Sequence, residues 1–452
     1  MTVKKVLKLV PLLVAAGCAA VGPDPATRPQ IALPATFVEG GAPAGQVVNR
    51  AWWTEYRDPL LADLVARGLA QNLDVMAANE RIRAAEATLA GTGVVASQAS
   101  GSAAAARERG ATAGGPVGYS TSASLGADFV FDLFGGALRA QQGAAAGVDV
   151  ARADVGTVRL AWLAELVGAY SDARYYQQAL ALTRQTIATR QDTVAVTRTK
   201  RELGSATELD VAQAEALLAA ARADLPGYEA SFNAQVFRMA TLMNEPAVPL
   251  LARMQRGAGQ PRTPASPGTG VPADLLRNRP DVRSAEYDLA TALANVGVAT
   301  ADMLPSVSLS GSVSDAGNGK TWGFGPQISL PVFNQGALQA ARANKVSLAK
   351  QAEIAWRAAV MQAVEDVQTA QSNLRRYRQQ AGALQTAADA YGRAYALARE
   401  NFDAGALDLL DVLDADRSAA QARLSVAAAR NAAAKEWAAL QIATGAGAGI
   451  LR

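Results

Sequence analysis

Two stretches constrain this chain more than anything else in its sequence. Residues 137–201 contain no proline and few glycines, residues 336–403 repeat that pattern, and both are rich in Ala, Leu, Gln, Arg and Glu. Such composition favours uninterrupted helix, and about 65 residues rising 1.5 Å each span roughly 100 Å. Helices of that length belong to coiled coils and supercoiled bundles rather than to small globular cores. The expected class is therefore mainly α, with long paired helices as the frame. At 452 residues, 50% of them hydrophobic, the chain has ample material for a large core.

Self-comparison shows the frame written twice. The pattern G-x-x-x-x-L-D-V occurs at Gly204, Leu209, Asp210 and Val211 and again at Gly405, Leu410, Asp411 and Val412. Phe134-Gly-Gly-Ala-Leu is echoed by Phe333-Asn-Gln-Gly-Ala-Leu, and Ser100-Gly-Ser by Ser310-Gly-Ser. Each half runs medium helix, short alternating segments, very long helix, glycine turn, long helix. This organisation predicts a first repeat over 59–245, a linker over 246–270, a second repeat over 271–445 and a tail over 446–452. Gly204 and Gly405 suit the left-handed conformation that stops a helix, so they mark the expected helix-turn tips. Asp210 and Asp411 then fall in the first turn of the following helix, where a carboxylate interacts well with the helix dipole. That role needs no chemistry.

Four short segments alternate with period two: 95–106, 119–133, 305–314 and 321–333. Around Ser306 the sequence places Val307, Leu309 and Val313 on one face and serines on the other. In the second segment Ala123, Leu125, Phe129 and Phe131 oppose Ser120, Ser122, Ser124 and Asp128; in the fourth, Trp322, Phe324, Ile328, Leu330 and Val332 share a face. Apolar-out, polar-in strands of about ten residues with aromatics near their ends are the signature of outer-membrane strands. A half-buried soluble sheet alternates in the same way; the very long flanking helices favour the membrane reading. No later segment is apolar enough for a spanning helix, so any crossing must be a closed barrel. Four strands cannot close one, since about eight are needed. Several chains are required, and a trimer supplies twelve strands.

The first residues read as a targeting segment. Lys4, Lys5 and Lys8 precede a short apolar run that ends in Ala15-Ala16-Gly17-Cys18, which predicts a signal peptide over 1–17. Small residues before a cysteine resemble a bacterial lipobox, with Ala15 where Leu is usual. Cys18 is then the candidate lipid attachment residue, and Ala19 in place of Asp directs the product to the outer membrane. The competing reading is an ordinary signal peptide whose cleavage site adjoins a cysteine. Lys and Arg number 43 against 40 Asp and Glu, and removing the three leader lysines leaves no net charge. That balance argues against a nucleic-acid binder. The chain has no His and one Cys, which removes the commonest general base, the commonest metal ligand and any internal disulfide. The run from Ser314 to Thr321 lacks the first glycine of a phosphate loop and leads into a strand. No catalytic residue, metal or cofactor is expected, and the chain reads as no enzyme.

Specific landmarks then appear in order: Val21-Gly-Pro-Asp-Pro after the cysteine, Trp52-Trp53, Asp58-Pro59-Leu60, Gln71-Asn72-Leu73-Asp74, and Arg279-Pro280-Asp281 opening the second half. Together they resemble the outer-membrane factor family, the TolC-type channels, in its lipoprotein efflux branch of NodT-like channels. The resemblance covers nearly the whole chain. Departures are Ala15, Ser97 opposite Pro305, and the Gly/Ala string at 445–449. The family implies a homotrimer with a twelve-stranded barrel in outer-membrane lipid and a long α-helical barrel below it. It also implies equatorial contacts made partly by a lipid-anchored segment at 18–58. Such channels are exit ducts of tripartite pumps that export small toxic compounds, with a periplasmic adaptor and an inner-membrane transporter as partners. A type I secretion duct of the same fold and a periplasmic coiled-coil adaptor lipoprotein are the alternatives.

In that family the helix-turn tips pinch the pore, and charged residues after the second glycine turn take part. The matching candidates are Leu410, Asp411, Asp414 and Arg417. Asp411 and Asp414, and Asp414 and Arg417, are three apart and share helical faces. Three-fold symmetry would turn each inward-facing residue into a ring. The plain alternative is a solvated face carrying a weak ion pair. Gln213 stands where Asp414 does, so the first copy is not expected to gate electrostatically.

Overall fold

The computed structural model describes residues 20–28, 30–40, 47, 49–92, 97–109, 117–265, 270–316 and 319–449. The leader and Cys18 lie outside them. A short 3₁₀ turn, Trp52–Tyr56, precedes helices α1 (Pro59–Gln71) and α2 (Leu73–Gly91). Strands β1 (Ser97–Arg109) and β2 (Val117–Phe131) lead into α3 (Gly136–Glu202), α4 (Glu208–Leu242) and α5 (Ala247–Gln255). The second copy runs α6 (Pro272–Asn278), α7 (Pro280–Ala301), β3 (Ser306–Ala316), β4 (Lys320–Ser329), α8 (Gln335–Asp403) and α9 (Leu409–Ala443). Helices α3 and α8 are 67 and 69 residues long, while α4 and α9 are both 35. The sequence expectation of a twofold, mainly helical frame with four strands is met. Among the described residues no helix is long and apolar enough to cross a membrane.

The chain divides into two compact units. One holds residues 1–31, 79–153 and 283–359; the other holds 32–78, 154–282 and 360–452.

The first unit contains the sheet, antiparallel throughout in the order β1-β2-β3-β4. Its register pairs Ser102 with Ser124, Ser124 with Ser314, and Ser314 with Thr321, so the serine faces of all four strands coincide. The opposite face is apolar and open, with Leu125, Trp322, Phe324 and Ile328 between 62% and 80% exposed. Phe129 and Phe131 pack edge to face on it, their centroids 4.9 Å apart.

The strand ends depart from expectation. β2 and β4 stop at Phe131 and Ser329 instead of running to 133 and 333. A tight three-residue turn closes each segment, Leu133 N–H donating to Phe131 O and Val332 N–H to Leu330 O, both at 2.9 Å. Pro331, which has no N–H, reinforces the second stop. At the other end the β3–β4 hairpin is longer than expected, ending at Ala316 and restarting at Lys320.

Small residues bring α3 and α7 together below the sheet: a Cβ on Gly143 would lie 3.2 Å from that of Ala294, and one on Gly136 3.0 Å from that of Ala301. Arg139, buried, donates to the carbonyls of Val21 at 3.1 Å, Ala20 at 3.3 Å and Gly22 at 3.4 Å. Val21 N–H in turn donates to Phe134 O at 3.0 Å. The segment that follows Cys18 is thereby stitched to the start of α3, directly after the strands.

The second unit has a large aromatic core. Trp52 and Trp437 are fully buried and pack edge to face with Tyr56. Trp52 Nε1 donates to Ala446 O at 3.1 Å and Tyr56 hydroxyl to Ala434 O at 2.6 Å. Burial pushes the Tyr56 hydroxyl pKa far above its ordinary value. The Gly/Ala string that departed from the family pattern has a packing cause here. Gly445 has φ 82, and a Cβ on it would sit 2.2 Å from the carbonyl oxygen of Asn278. Gly447, at φ 87, fits against Leu163, Trp52 and Trp53.

Arg279-Pro280-Asp281 is a clamp in this unit. Arg279 grips Asp281 through Nε and Nη2 at 2.8 and 2.6 Å, reaches Asp366 at 2.9 Å, and donates to Ala443 O at 3.2 Å. Burial pulls its pKa down, but the two carboxylates outweigh that and raise it. The bidentate fork and the two anions keep an otherwise costly buried charge in place.

Candidate functional site

The two glycine turns end α3 and α8 by the same device. Gly204 and Gly405 adopt φ 77 and 78. Ser205 N–H donates to Lys200 O at 2.8 Å and Gly204 N–H to Arg201 O at 2.9 Å; Ala406 and Gly405 repeat this on Asn401 and Phe402 at 2.8 and 3.0 Å. These paired bonds are the Schellman arrangement, in which a left-handed residue lets the last carbonyls find donors. Both turns lie in the second unit and share one core. Val194, Ala214 and Leu218 from the first copy pack with Phe402, Leu409, Val412 and Leu413 from the second. Lys200 crosses between them, its ammonium 3.7 Å from the centre of the Phe402 ring and donating to the Phe402 carbonyl.

The helices that leave the turns start differently. Thr207 caps α4 through a reciprocal box with Asp210, whose side chain accepts from Thr207 N–H at 2.7 Å while Asp210 N–H donates to Thr207 Oγ1 at 3.2 Å. At the start of α9, Asp408 occupies the cap without a side-chain bond. Asp411 makes no hydrogen bond with any described residue. The aligned aspartates therefore differ: Asp210 serves as a cap, and Asp411 projects free.

Helical periodicity sorts the first turns of α9 into two faces. Leu409, Val412, Leu413 and Asp416 are buried, while Leu410, Asp411, Asp414 and Arg417 are all exposed. The four candidates from the sequence thus share one uncovered face. Arg417 donates to Asp414 at 2.9 Å, with side chains 62% and 59% exposed. Within the helix such a pair contributes only a few tenths of a kcal/mol.

The most buried ion pair near the turns, among the described residues, was not among the sequence candidates. Asp416, on the buried face, accepts from Arg190 Nε of α3 at 2.7 Å, the two side chains being only 11% and 10% exposed. Arg190 also donates to Leu217 O at 2.9 Å. Close by, Arg399 of α8 donates to Thr193 Oγ1 of α3 at 3.0 Å and pairs with Asp403. Burial and then the Asp416 charge raise the Tyr395 hydroxyl pKa. A charge on the apolar side of α9 was a readable signal; its partner 226 residues away was not.

The fold has known relatives. The model of the family described as outer membrane efflux protein matches residues 64–245 and 271–446. The chain is 36% identical over 449 residues to nodulation protein T of Rhizobium leguminosarum bv. trifolii, covering 96% of each. It is 30% identical over 390 residues to the pyoverdine export outer membrane protein OpmQ of Pseudomonas aeruginosa, covering 82% of this chain and 81% of the relative. A solved structure of the outer-membrane channel OprN superposes with a TM-score of 0.83 at 30% identity, covering 95% of this chain and all of the other.

Proposed function

Since the chain belongs to the outer membrane efflux protein family, we propose that three copies assemble into the outer-membrane exit duct of a tripartite efflux pump. The chain is an efflux channel of the TolC-type fold and not an enzyme. The observation that carries the trimer is the sheet. Its four strands end in two unpaired edges, β1 and β4, and one face presents large apolar side chains to the outside. Unpaired edges are intolerable in lipid. Pairing β4 of one copy with β1 of the next closes the sheet, and three copies give twelve strands, above the minimum for a membrane barrel.

In this reading the chain is two repeats, 59–245 and 271–445, and residues 18–58 form the anchored segment. Cys18 carries the lipid. The stitching of Ala20, Val21 and Gly22 to Arg139 and Phe134 supports that assignment, because it holds the chain two residues after Cys18 next to the strands. A periplasmic adaptor and an inner-membrane transporter complete the pump.

The turns form the gate, with Leu410, Asp411, Asp414 and Arg417 as its lining. A three-fold axis beside the exposed face of α9 repeats Asp411 and Asp414 as rings of carboxylates, which repel one another and attract cations. Arg417 offers the counter-charge. Purified protein examined by native mass and planar-bilayer conductance tests both levels. A trimer giving discrete current steps is expected, with larger steps after Asp414→Ala and Arg417→Ala. A monomer without conductance discards the duct; unchanged steps from an assembled double variant discard the gate assignment.

A further inference from the structure

Four rows of the polar face of the sheet carry a single charge. The register sets Ser102, Ser124, Ser314 and Thr321 in one row across all four strands. Hydroxyls meet along that row, Ser102 with Ser124 at 2.8 Å and Ser314 with Thr321 at 2.7 Å. The next row is Ser100, Gly126, Ser312 and Gly323, and the row after it contains Asp128, Ser310 and Gly325. Val130, Ser308 and Gln327 follow. Asp128 is the single ionisable residue in these four rows. Its side chain is half-buried, and it makes no hydrogen bond or ion pair with any described residue. Its partners in the register are Gln98 on β1 and Ser310 on β3, with Gly325 beyond, and none of them carries a charge.

We propose that Asp128 sets the ionic preference of the β-barrel bore, favouring cationic over anionic solutes. The inference rests on the trimeric barrel of the preceding section. There the polar face becomes the wall of the bore, and Asp128 recurs three times at one level. Hydroxyls and glycines carry no net charge, so they solvate a passing solute without selecting its sign. One ring of unpaired carboxylates in such a wall dominates the local field and raises the concentration of cations beside it. The preference is independent of the helix turns, whose acidic residues lie in the other unit.

The test is reversal potential under a KCl gradient, with the full chain in planar bilayers. Asp411→Ala, Asp414→Ala and Arg417→Ala together serve as the parent, so that the turns do not dominate. Adding Asp128→Asn is expected to lower the potassium-to-chloride permeability ratio roughly two- to tenfold, the effect shrinking as salt rises. Asp128→Lys should invert the preference. Asp128→Cys should lose it and recover it when a sulfonate-bearing thiol reagent is added, with the unsubstituted chain as reagent control. A ratio unchanged by Asp128→Asn, in channels that assemble and conduct, overturns the role of Asp128 and leaves the duct standing. An Asp128→Cys channel whose current ignores the reagent overturns it too. If the wild-type chain gives neither trimer nor current steps, the duct itself falls and this inference with it.

Discussion

Truncating Asp416 to Ala would leave the Arg190 guanidinium in a nearly closed site with only the Leu217 carbonyl to answer it. Removing one partner of a buried ion pair costs about 3–5 kcal/mol, because the remaining charge has lost its compensation. The lower figure applies here, since both side chains keep about a tenth of their surface in water and Arg190 can swing partly outward. The loss should be local, confined to the packed turns that Arg190 and Asp416 tie together. Trypsin cleavage after Lys200 or Arg201 reports that opening, and 3 kcal/mol corresponds to a roughly hundredfold faster cut when reclosing outpaces cleavage. Glu215→Ala is the control. It breaks a pair of 2.5 Å between α3 and α4 whose side chains are 58% and 45% exposed; such pairs contribute about 1 kcal/mol at most. Replacing Arg190 and Asp416 together with Leu should restore most of the protection, because no charge is then left buried. Cleavage of Asp416→Ala within threefold of wild type, or a double variant as labile as the single, would refute this account.

Two further outcomes concern the second unit. Gly445→Ala should lower the melting temperature sharply, since it combines about 1–2 kcal/mol of left-handed strain with a clash on the Asn278 carbonyl. Gly382→Ala, in open space within α8, should raise it by the helix-propensity gain of about 0.5–1 kcal/mol; tryptophan-monitored melts showing equal signs would contradict this. The second outcome is alkaline. Burial raises the hydroxyl pKa of Tyr56, and burial with the Asp58 contact raises that of Tyr170. Their contribution is complete below the unfolded value of about 10 and is lost as pH climbs past it, because the unfolded chain releases those protons first. Tyr56→Phe should therefore cost about 1 kcal/mol at neutral pH for the lost bond to Ala434, yet reduce the fall in stability between about pH 10 and 12 by roughly 1.4 kcal/mol per pH unit. Parallel wild-type and variant profiles would refute it.

What the sequence made legible was whatever is decided locally. The ends of α3 and α8 could be read because Gly204 and Gly405 supply the left-handed step wherever a helix must stop. The serine and apolar faces could be read because period two is a property of a strand alone. Strand ends are not legible in this way, since the alternation of Leu330 and Val332 continues through a turn that only the Val332–Leu330 bond reveals. The cause of the glycine string near 445, the Asn278 carbonyl and the Trp52–Trp53 pair, is far away in sequence and not legible there. Its counterpart in the first copy shows the same logic in reverse. Asn244 there takes φ 50 and Glu245 N–H closes onto Ala240 O at 3.0 Å, so the turn is kept without glycine.

The two copies share a frame, and the proposed gate rests on the differences between them. Asp210 is consumed as a cap by Thr207, and Gln213 follows it; Asp411 is released because Asp408 supplies no such partner, and Asp414 follows it. Asp416 and Arg190 then fix which way α9 faces, so that Leu410, Asp411, Asp414 and Arg417 stay outward together. A gate built on this plan needs no new fold in the second half. It needs one aspartate freed from capping, one glutamine replaced by aspartate, and a buried ion pair to hold the face in register.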